Sequence, residues 1–373
     1  MFTKAAVKFG WNQCDITPPK KVLLRGQFHA RVSTLVESPL TATVLVIENA
    51  DGSEQAMMLS LDNAFGPDKI LFELRSRLKT ALADFNPDRL FISGTHTHTA
   101  PAVAIKDYWQ VQEELLDDRT MTCSGYFDFV MEKLTALTVE AWNKRKFGAF
   151  SYGLGWAVVG FNRRPSYYDG HSQMYGTPDT ENFSHIEGYE DHSVDLLFTY
   201  DDKQQLTGII INLACPSQID EAKFFVSADF WHDVREEVRK RYGDVFILPQ
   251  CSAAGDISPH LILKKRPNIR MTELMGLENH DGRGTDKRII ARRIANAIDE
   301  VLPFASLKII KDAEFEHKCT TIELPVRGID GKSIEFCAEQ VKLNKAAVSK
   351  MTPDINSPEY TSAYRRISYF QAV

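Results

Sequence analysis

The sequence predicts an α/β fold, on three observations. Strand-like and helix-like patterns alternate through residues 43–302. At 373 residues the chain is long enough for two domains or one large α/β domain. Its composition, 43% hydrophobic and 25% charged, is that of an ordinary globular protein able to bury a sizeable core. The same composition, with no internal repeat, excludes a disordered chain, a collagen, a coiled coil and a solenoid.

Residues 43–48 are apolar and β-branched, which predicts a strand. Asn49-Ala50-Asp51-Gly52 is turn chemistry, and 56–61 reads as the hairpin partner. Ile70, Leu74, Leu78 and Leu82 recur every fourth residue, which predicts a helix over 67–85. Pro67 suits its first turn and Asn86-Pro87 stops it. Residues 90–93 are a short apolar strand running into Gly94-Thr95-His96-Thr97-His98-Thr99-Ala100-Pro101. A second helical pattern covers 126–144, and 147–161 reads as strands rich in aromatics and glycine. Residues 166–191 are poor in aliphatic side chains and rich in Tyr, Ser, Asp and Gly; a loop this long is usually functional or mobile. Residues 194–200 and 206–212 flank Asp201-Asp202-Lys203 as a second hairpin. A helix is expected over 229–242, and a buried strand over 245–248 leads into the segment 250–260. Residues 287–302 form an amphipathic helix with a basic outer face.

Past residue 305 the texture changes. Residues 307–326 read as one or two strands and 334–348 as a helix. Ser357-Pro358 starts a last helix, with Tyr360, Tyr364, Ile367 and Phe370 as an apolar stripe. No cap or polar tail follows that helix. The expectation is that 306–373 continues the fold of 1–305 and stops inside a domain. The stripe is then left partly exposed, a surface through which the chain can form an oligomer.

A formal net charge of -6 argues against a nucleic-acid partner. No apolar run approaches the ~20 residues of a membrane span. Residues 1–10 hold no long apolar stretch and no cleavage site, so they do not read as a secretory signal. Cys14, Cys123, Cys215, Cys251, Cys319 and Cys337 lie far apart with no CxxC, which predicts free thiols in a reducing compartment. The expected location is the cytoplasm.

His96 and His98 are the strongest chemical signal. Two histidines at i and i+2 on an extended segment face the same side. They lie just past an apolar strand, where α/β proteins place ligands. Imidazole suits zinc, so the pair can hold a metal, or hold one ligand beside one acid–base group. Two loop histidines bonded to the backbone are the plainer account. In Gly255-Asp256-Ile257-Ser258-Pro259, the glycine permits a sharp turn and Ser258 can act as nucleophile or as oxyanion donor. The segment is not a GxSxG elbow, and a capping turn made by Asp256 or Ser258 is the alternative. Arg163, in Asn162-Arg163-Arg164, can clamp a carboxylate or a tetrahedral oxyanion, or simply close a strand in solvent. Cys215 ends a strand and its thiolate can ligate a metal, although buried cysteines are mostly inert. Asp229 and His232 lie three apart at a helix start and can share a face, as surface residues also do.

In their order along the chain these pieces resemble the N-terminal catalytic domain of the neutral/alkaline non-lysosomal ceramidase family. Asp15-Ile16-Thr17-Pro18-Pro19 is similar to its D-I-T-G/P-P signature. Residues 26–31 with 39–47 resemble its arginine-containing turn and apolar strand, and 93–101 its S-H-T-H-S-G-P motif. Asn162-Arg163 resembles the N-R-S segment, 212–217 the N-W-x-x-H-P segment, and Ser227-Ala228-Asp229 the S-x-D that follows. Residues 250–259 are similar to Q-x-N-x-G-D-V-S-P, and the whole resemblance covers residues 10–305. It implies two mixed β-sheets packed between α-helical layers. It also implies a zinc-dependent amidase acting on N-acyl-sphingosine, in sphingolipid metabolism. By the same resemblance His96 is a zinc ligand and His98 helps at the reacting centre. Arg163 and Ser258 then sit beside the scissile amide, with Asp256 of the same motif counted among the catalytic candidates. Zinc would lower the pKa of bound water to ~7, and Ser258 and Arg163 would steady the tetrahedral oxyanion.

The sequence departs from the family pattern in three ways. Cys215 precedes Pro216 where the family has His-Pro, so the implied zinc set becomes His96, Cys215 and His232, with His192 as a further substitute. The glutamate and tyrosine that complete the family's site come from a later segment, and Glu359-Tyr360 is not in a matching motif. The family's export signal and C-terminal immunoglobulin-like domain are not expected in this chain. The expectation is therefore an intracellular relative that hydrolyses the amide bond of a small-molecule or lipid-like substrate, with zinc as cofactor. The rival readings are a non-catalytic homologue with an incomplete metal site and a hydrolase of a soluble carbohydrate-linked or peptide-like amide.

Overall fold

The computed structural model describes residues 6–103, 115–277, 284–326 and 328–372. Eight strands build its main sheet: β1 (Val7–Asp15), β2 (Thr41–Asn49), β3 (Gln55–Leu61), β4 (Leu90–Gly94), β5 (Lys146–Trp156), β6 (Ser193–Tyr200), β7 (Leu206–Leu213) and β8 (Phe246–Cys251). Their order is β8-β7-β6-β5-β1-β2-β3-β4. Neighbours run antiparallel except at the two ends, where β3–β4 and β7–β8 are parallel. The two expected sheets are thus halves of one. They are joined at a narrow seam where Val7, Lys8 and Phe9 of β1 pair with Gly148, Phe147 and Lys146 of β5.

The halves face each other. Trp11 stacks on Phe246 at 5.7 Å with the ring planes 2° apart, and its indole N–H donates to Thr199 Oγ1 at 2.9 Å. Ser60 Oγ donates to the Pro249 carbonyl at 2.7 Å. Trp11, Leu45 and Leu248 form the buried contact between the halves, flanked by Ile47, Met58 and Ile210.

Helices α1 (Asp68–Ala81) and α2 (Cys123–Asn143) cover the first half. Ile70, Leu74 and Leu78 lie along one face of α1 and are buried, each contributing ~1.5–3 kcal/mol of apolar transfer. Thr122 caps α2, its hydroxyl accepting from the Gly125 N–H at 3.0 Å. Helices α3 (Phe230–Tyr242) and α5 (Lys287–Ala305) cover the second half, with α4 (Lys265–Leu274) between them in sequence. The result is the expected α/β fold in four layers, helix on sheet on sheet on helix. Arg235 of α3 crosses to the end of β3, where it forks onto the Asp62 carboxylate at 2.7 and 3.0 Å with both side chains buried.

Three stretches differ from expectation. Residues 307–326 form no strand: Ile310 makes one bridge to Phe150, and Ile322, Leu324 and Val326 stay exposed. Their alternation is strand-like, but a ladder needs a neighbouring strand to supply its hydrogen bonds. Residues 166–191 hold a small antiparallel pair, Pro165–Tyr167 with Phe183–Ile186. Helix α4 is an addition that periodicity does not predict.

Helices α6 (Gly331–Val348) and α7 (Pro358–Gln371) pack together as a hairpin. Ser357 caps α7 by accepting from the Tyr360 N–H at 3.1 Å. Tyr360 is buried, while Tyr364, Ile367 and Phe370 are half-buried, and Phe370 meets Phe336 of α6 edge-on at 6.0 Å. All six cysteines are free. Among the described residues no helix is long and apolar enough to cross a membrane.

Candidate functional site

Strands β4, β7 and β8 end side by side. The Gln250 amide donates to Ser93 Oγ at 3.0 Å, and the Ser217 hydroxyl donates to the Thr95 carbonyl. The loops that follow these strands therefore share one edge of the sheet, the place where open α/β sheets put their chemistry.

The segment after β4 sorts its side chains by alternation. Thr97 and Thr99 turn inward, and both hydroxyls donate to the Ser227 carbonyl, at 2.9 and 3.0 Å. His96 and His98 alternate with them in sequence, with ring centroids 5.1 Å apart. His96 holds a left-handed backbone (φ 65°), and its N–H donates to the Asn63 carbonyl at 2.9 Å. His98 packs on Gly26 so closely that a Cβ there would lie 2.5 Å from the His98 Cβ. The fully buried Arg31 donates to the His98, Arg25 and Lys223 carbonyls at 2.5, 2.8 and 2.6 Å, fixing the backbone beneath the ring.

A short antiparallel pair, Phe161–Asn162 with Ile257–Ser258, brings Arg163 to Ser258. The Arg163 N–H donates to the Asp256 carbonyl at 2.8 Å, and the Asp256 carboxylate accepts from Asn162 Nδ2 at 2.9 Å. Asp256 thus holds this pair in place. The Arg163 guanidinium donates to the Gly255 carbonyl at 2.8 Å, to the Tyr175 hydroxyl at 3.1 Å and to Gln218 Oε1 at 3.5 Å. Tyr175 in turn donates to Ser258 Oγ at 3.1 Å. Gln218 Nε2 donates to His98 Nε2 at 2.7 Å, which leaves the proton of that ring on Nδ1, 3.6 Å from Glu221 Oε2. Glu221 Oε1 faces His260 Nε2 at 3.4 Å, and the His260 N–H returns to Ser258 Oγ at 3.1 Å. Seven residues close a circuit: Ser258, Tyr175, Arg163, Gln218, His98, Glu221 and His260.

The electrostatics keep both imidazoles neutral at physiological pH. Burial, with the neighbouring His96 ring and the Arg31 and Arg163 charges, pulls His98 down to about 3 against the attraction of Glu221. Burial and Arg163 lower His96 as well, opposed by a hydrogen bond to the Ala64 backbone and by Glu221. Burial raises the Glu221 carboxyl, but His260, His98 and Arg163 outweigh it and hold it below its ordinary value.

The structure therefore brings His96, His98, Arg163 and Ser258 together, with Asp256 behind them. It gives Cys215 a different setting. That side chain belongs to the core under α3 and α5, its thiol donates to the Pro216 carbonyl at 3.5 Å, and burial with Cys251 and Asp229 pushes the thiol well above its ordinary value. A protonated core thiol is a poor zinc ligand. His232 sits half-buried on α3 with its N–H on the Asp229 carbonyl, and His192 faces Glu190 at 3.5 Å. Among the described residues no three His, Cys, Asp or Glu side chains are arranged to hold a metal ion. The zinc set implied by the sequence does not fit this arrangement.

Tyr175, Gln218, Glu221 and His260 are members of the circuit that the sequence reading does not single out. Gln218 and Glu221 follow Cys215-Pro216 closely, and His260 is next after Pro259. Tyr175 comes from the long loop over 166–191, whose length reads as functional or mobile.

No family model and no curated protein matches the chain. Solved structures do. The neutral ceramidase from Pseudomonas aeruginosa aligns with a TM-score of 0.61 at 18% identity, over 81% of this chain and 46% of that one. The fold is ceramidase-like. A ceramidase complexed with C2 aligns equally well, with a TM-score of 0.61 at 17% identity over 81% of this chain and 44% of that one. This chain spans less than half the length of either structure.

Proposed function

We propose that this chain is a ceramidase-like hydrolase that cleaves an N-acyl amide. The observation that carries the reading is the closed circuit from His98 through Arg163 and Ser258 to His260, standing beside His96 on a ceramidase-like fold. His96 is a neutral imidazole with one ring nitrogen engaged by the Ala64 backbone, so its other nitrogen can take a proton from an attacking water. As the new C–O bond forms, the carbonyl electron pair moves onto oxygen. Arg163 supplies positive charge beside that oxyanion, and the adjacent hydroxyls supply a donor. When the C–N bond breaks, the His96 imidazolium returns the proton to the leaving nitrogen. His98, fixed by Gln218 on one nitrogen and facing Glu221 with the other, keeps this frame rigid.

The family resemblance adds a zinc ion at His96, which would lower the pKa of a bound water and polarise the carbonyl. Among the described residues no three donors close around an ion, and the steps above are what the side chains themselves can do. The ceramidase neighbours favour a lipid-like acyl chain on the substrate.

The test is release of free acid from N-acylsphingosine, an N-acyl amino acid and an N-acyl hexosamine, each with added zinc and with a chelator. The proposal expects acid from at least one of the three. Acid from none refutes it. Turnover that survives the chelator agrees with side-chain catalysis, whereas turnover that zinc restores returns the metal to His96. A second reading is a protein that binds amides without cleaving them. It predicts binding of one of these amides with no acid released.

A further inference from the structure

We infer that Tyr175 is a catalytic residue of this site: its hydroxyl donates the hydrogen bond that receives the oxyanion, and Ser258 is its positioning partner. The inference rests on the hydrolase reading and adds to it a residue from the 166–191 loop.

The first observation concerns lone pairs. Ser258 Oγ accepts from the Tyr175 hydroxyl at 3.1 Å and from the His260 N–H at 3.1 Å. A hydroxyl oxygen has two acceptor positions, and both are filled. Ser258 has no lone pair left for nucleophilic attack. It is also fully buried, whereas Tyr175 is half-buried and lies against it.

The second observation concerns charge. Arg163 spends one Nη on the Gly255 carbonyl and turns the other to Tyr175 and Gln218. Its positive charge is passed toward the reacting carbonyl through the Tyr175 hydroxyl, which it polarises.

The third concerns the backbone. Tyr175 is a bulky residue held at φ 57°, in the left-handed region that costs an ordinary L-residue ~1–2 kcal/mol. The cost is met by ties to this site. The Tyr175 N–H donates to the Arg163 carbonyl at 2.7 Å, and its ring meets His260 edge-on at 6.4 Å. Gly176 follows because a Cβ there would collide with the hydroxyl of Tyr167, which donates to the Thr177 carbonyl at 3.1 Å.

These contacts permit a switch without movement of heavy atoms. In the resting site the Tyr175 O–H points at Ser258. As the carbonyl electron pair moves onto oxygen, that O–H rotates to the oxyanion, and the Ser258 O–H turns to Tyr175 Oη in its place. The tyrosine keeps its proton, and no covalent bond changes at either hydroxyl.

The experiment compares native chain, Tyr175→Phe, Ser258→Ala and the double variant on whichever N-acyl amide the native chain cleaves fastest. A phosphonamidate analogue of that amide is titrated by calorimetry into native chain and Tyr175→Phe, and thermal melts check that each variant folds. Tyr175→Phe should lower kcat by ~10²–10³-fold and leave KM within ~3-fold, since an oxyanion donor acts in the transition state. It should weaken the analogue by a similar factor. Ser258→Ala should cost only ~10-fold, and the double variant should be no slower than Tyr175→Phe, because Ser258 acts through the tyrosine. Native turnover that persists within ~3-fold in Tyr175→Phe overturns this inference alone. So does a loss in Ser258→Ala that exceeds the loss in Tyr175→Phe. Absence of turnover in the native chain overturns the hydrolase reading, and this assignment with it.

Discussion

Gly26 is the position where one added methyl group reports most sharply on how the site is held. Its φ of 114° is one that L side chains rarely adopt. In Gly26→Ala the new Cβ would lie 2.5 Å from the His98 Cβ and 2.8 Å from its Cα. Ordinary carbon contacts are about 3.5–4.0 Å, so the His98 backbone must give by about 1 Å. It has little freedom to do so. Its carbonyl is bound by the buried Arg31, and Thr97 and Thr99 on either side are bound to Ser227. Backbone strain of ~1–3 kcal/mol and overpacking of ~1–3 kcal/mol together predict a loss of about 2–6 kcal/mol in unfolding free energy. A shift of about 1 Å in a positioning residue predicts a rate loss of ~10²-fold. Urea unfolding measures the first quantity, and initial rates of acid release well below the melting temperature measure the second. A Gly26→Ala chain within ~0.5 kcal/mol of the native stability, and within ~3-fold of its rate, would refute the claim that His98 is rigidly seated.

Two further expectations concern the frame. Arg235→Met leaves the Asp62 carboxylate buried with only the Thr41 N–H at 2.8 Å as a described partner, so the denaturant midpoint should fall by the equivalent of ~3–5 kcal/mol; an unchanged midpoint contradicts this. Asp229 caps α3, and burial together with Asp220 raises its carboxyl to about 7. The native state therefore holds this proton more tightly than the unfolded chain, whose Asp titrates near ~3.9. The stabilisation is complete below that value and is lost as pH rises through about 7. Unfolding free energies between pH 4 and 8 should decline less steeply in Asp229→Asn than in the native chain, and equal slopes would count against the assignment.

Local pattern made much of the frame legible. Ile70, Leu74 and Leu78 declared α1 because helical spacing puts them on one buried face, and the turn chemistry of residues 49–52 declared the β2–β3 hairpin. His96, His98, Arg163 and Ser258 were legible because each follows a strand end, and the fold gathers those ends at one edge. What stayed hidden depends on contacts between distant segments. Nothing near Tyr175 in sequence reveals that its hydroxyl reaches Ser258, 83 positions away. Gln218, Glu221 and His260 acquire their roles only when the loops after β4, β7 and β8 converge. Cys215 shows the opposite failure. Its position beside Pro216 suggested a ligand, but sequence does not say which way a side chain turns at a strand end, and this one lies in the core. Residues 307–326 alternate like a strand yet have no partner strand among the described residues to complete a ladder.

The central claim is that the edge bearing His96 and Arg163 hydrolyses an amide. The most direct test is the initial rate of free-acid release from an N-acyl amide by the native chain and by His96→Ala, measured side by side with the fold of each confirmed by its thermal melt. The account predicts measurable release by the native chain and a loss of at least ~10²-fold in His96→Ala, since the residue that takes the proton from water is gone. Equal rates in the two chains, or no release by the native chain from any N-acyl amide offered, would contradict it.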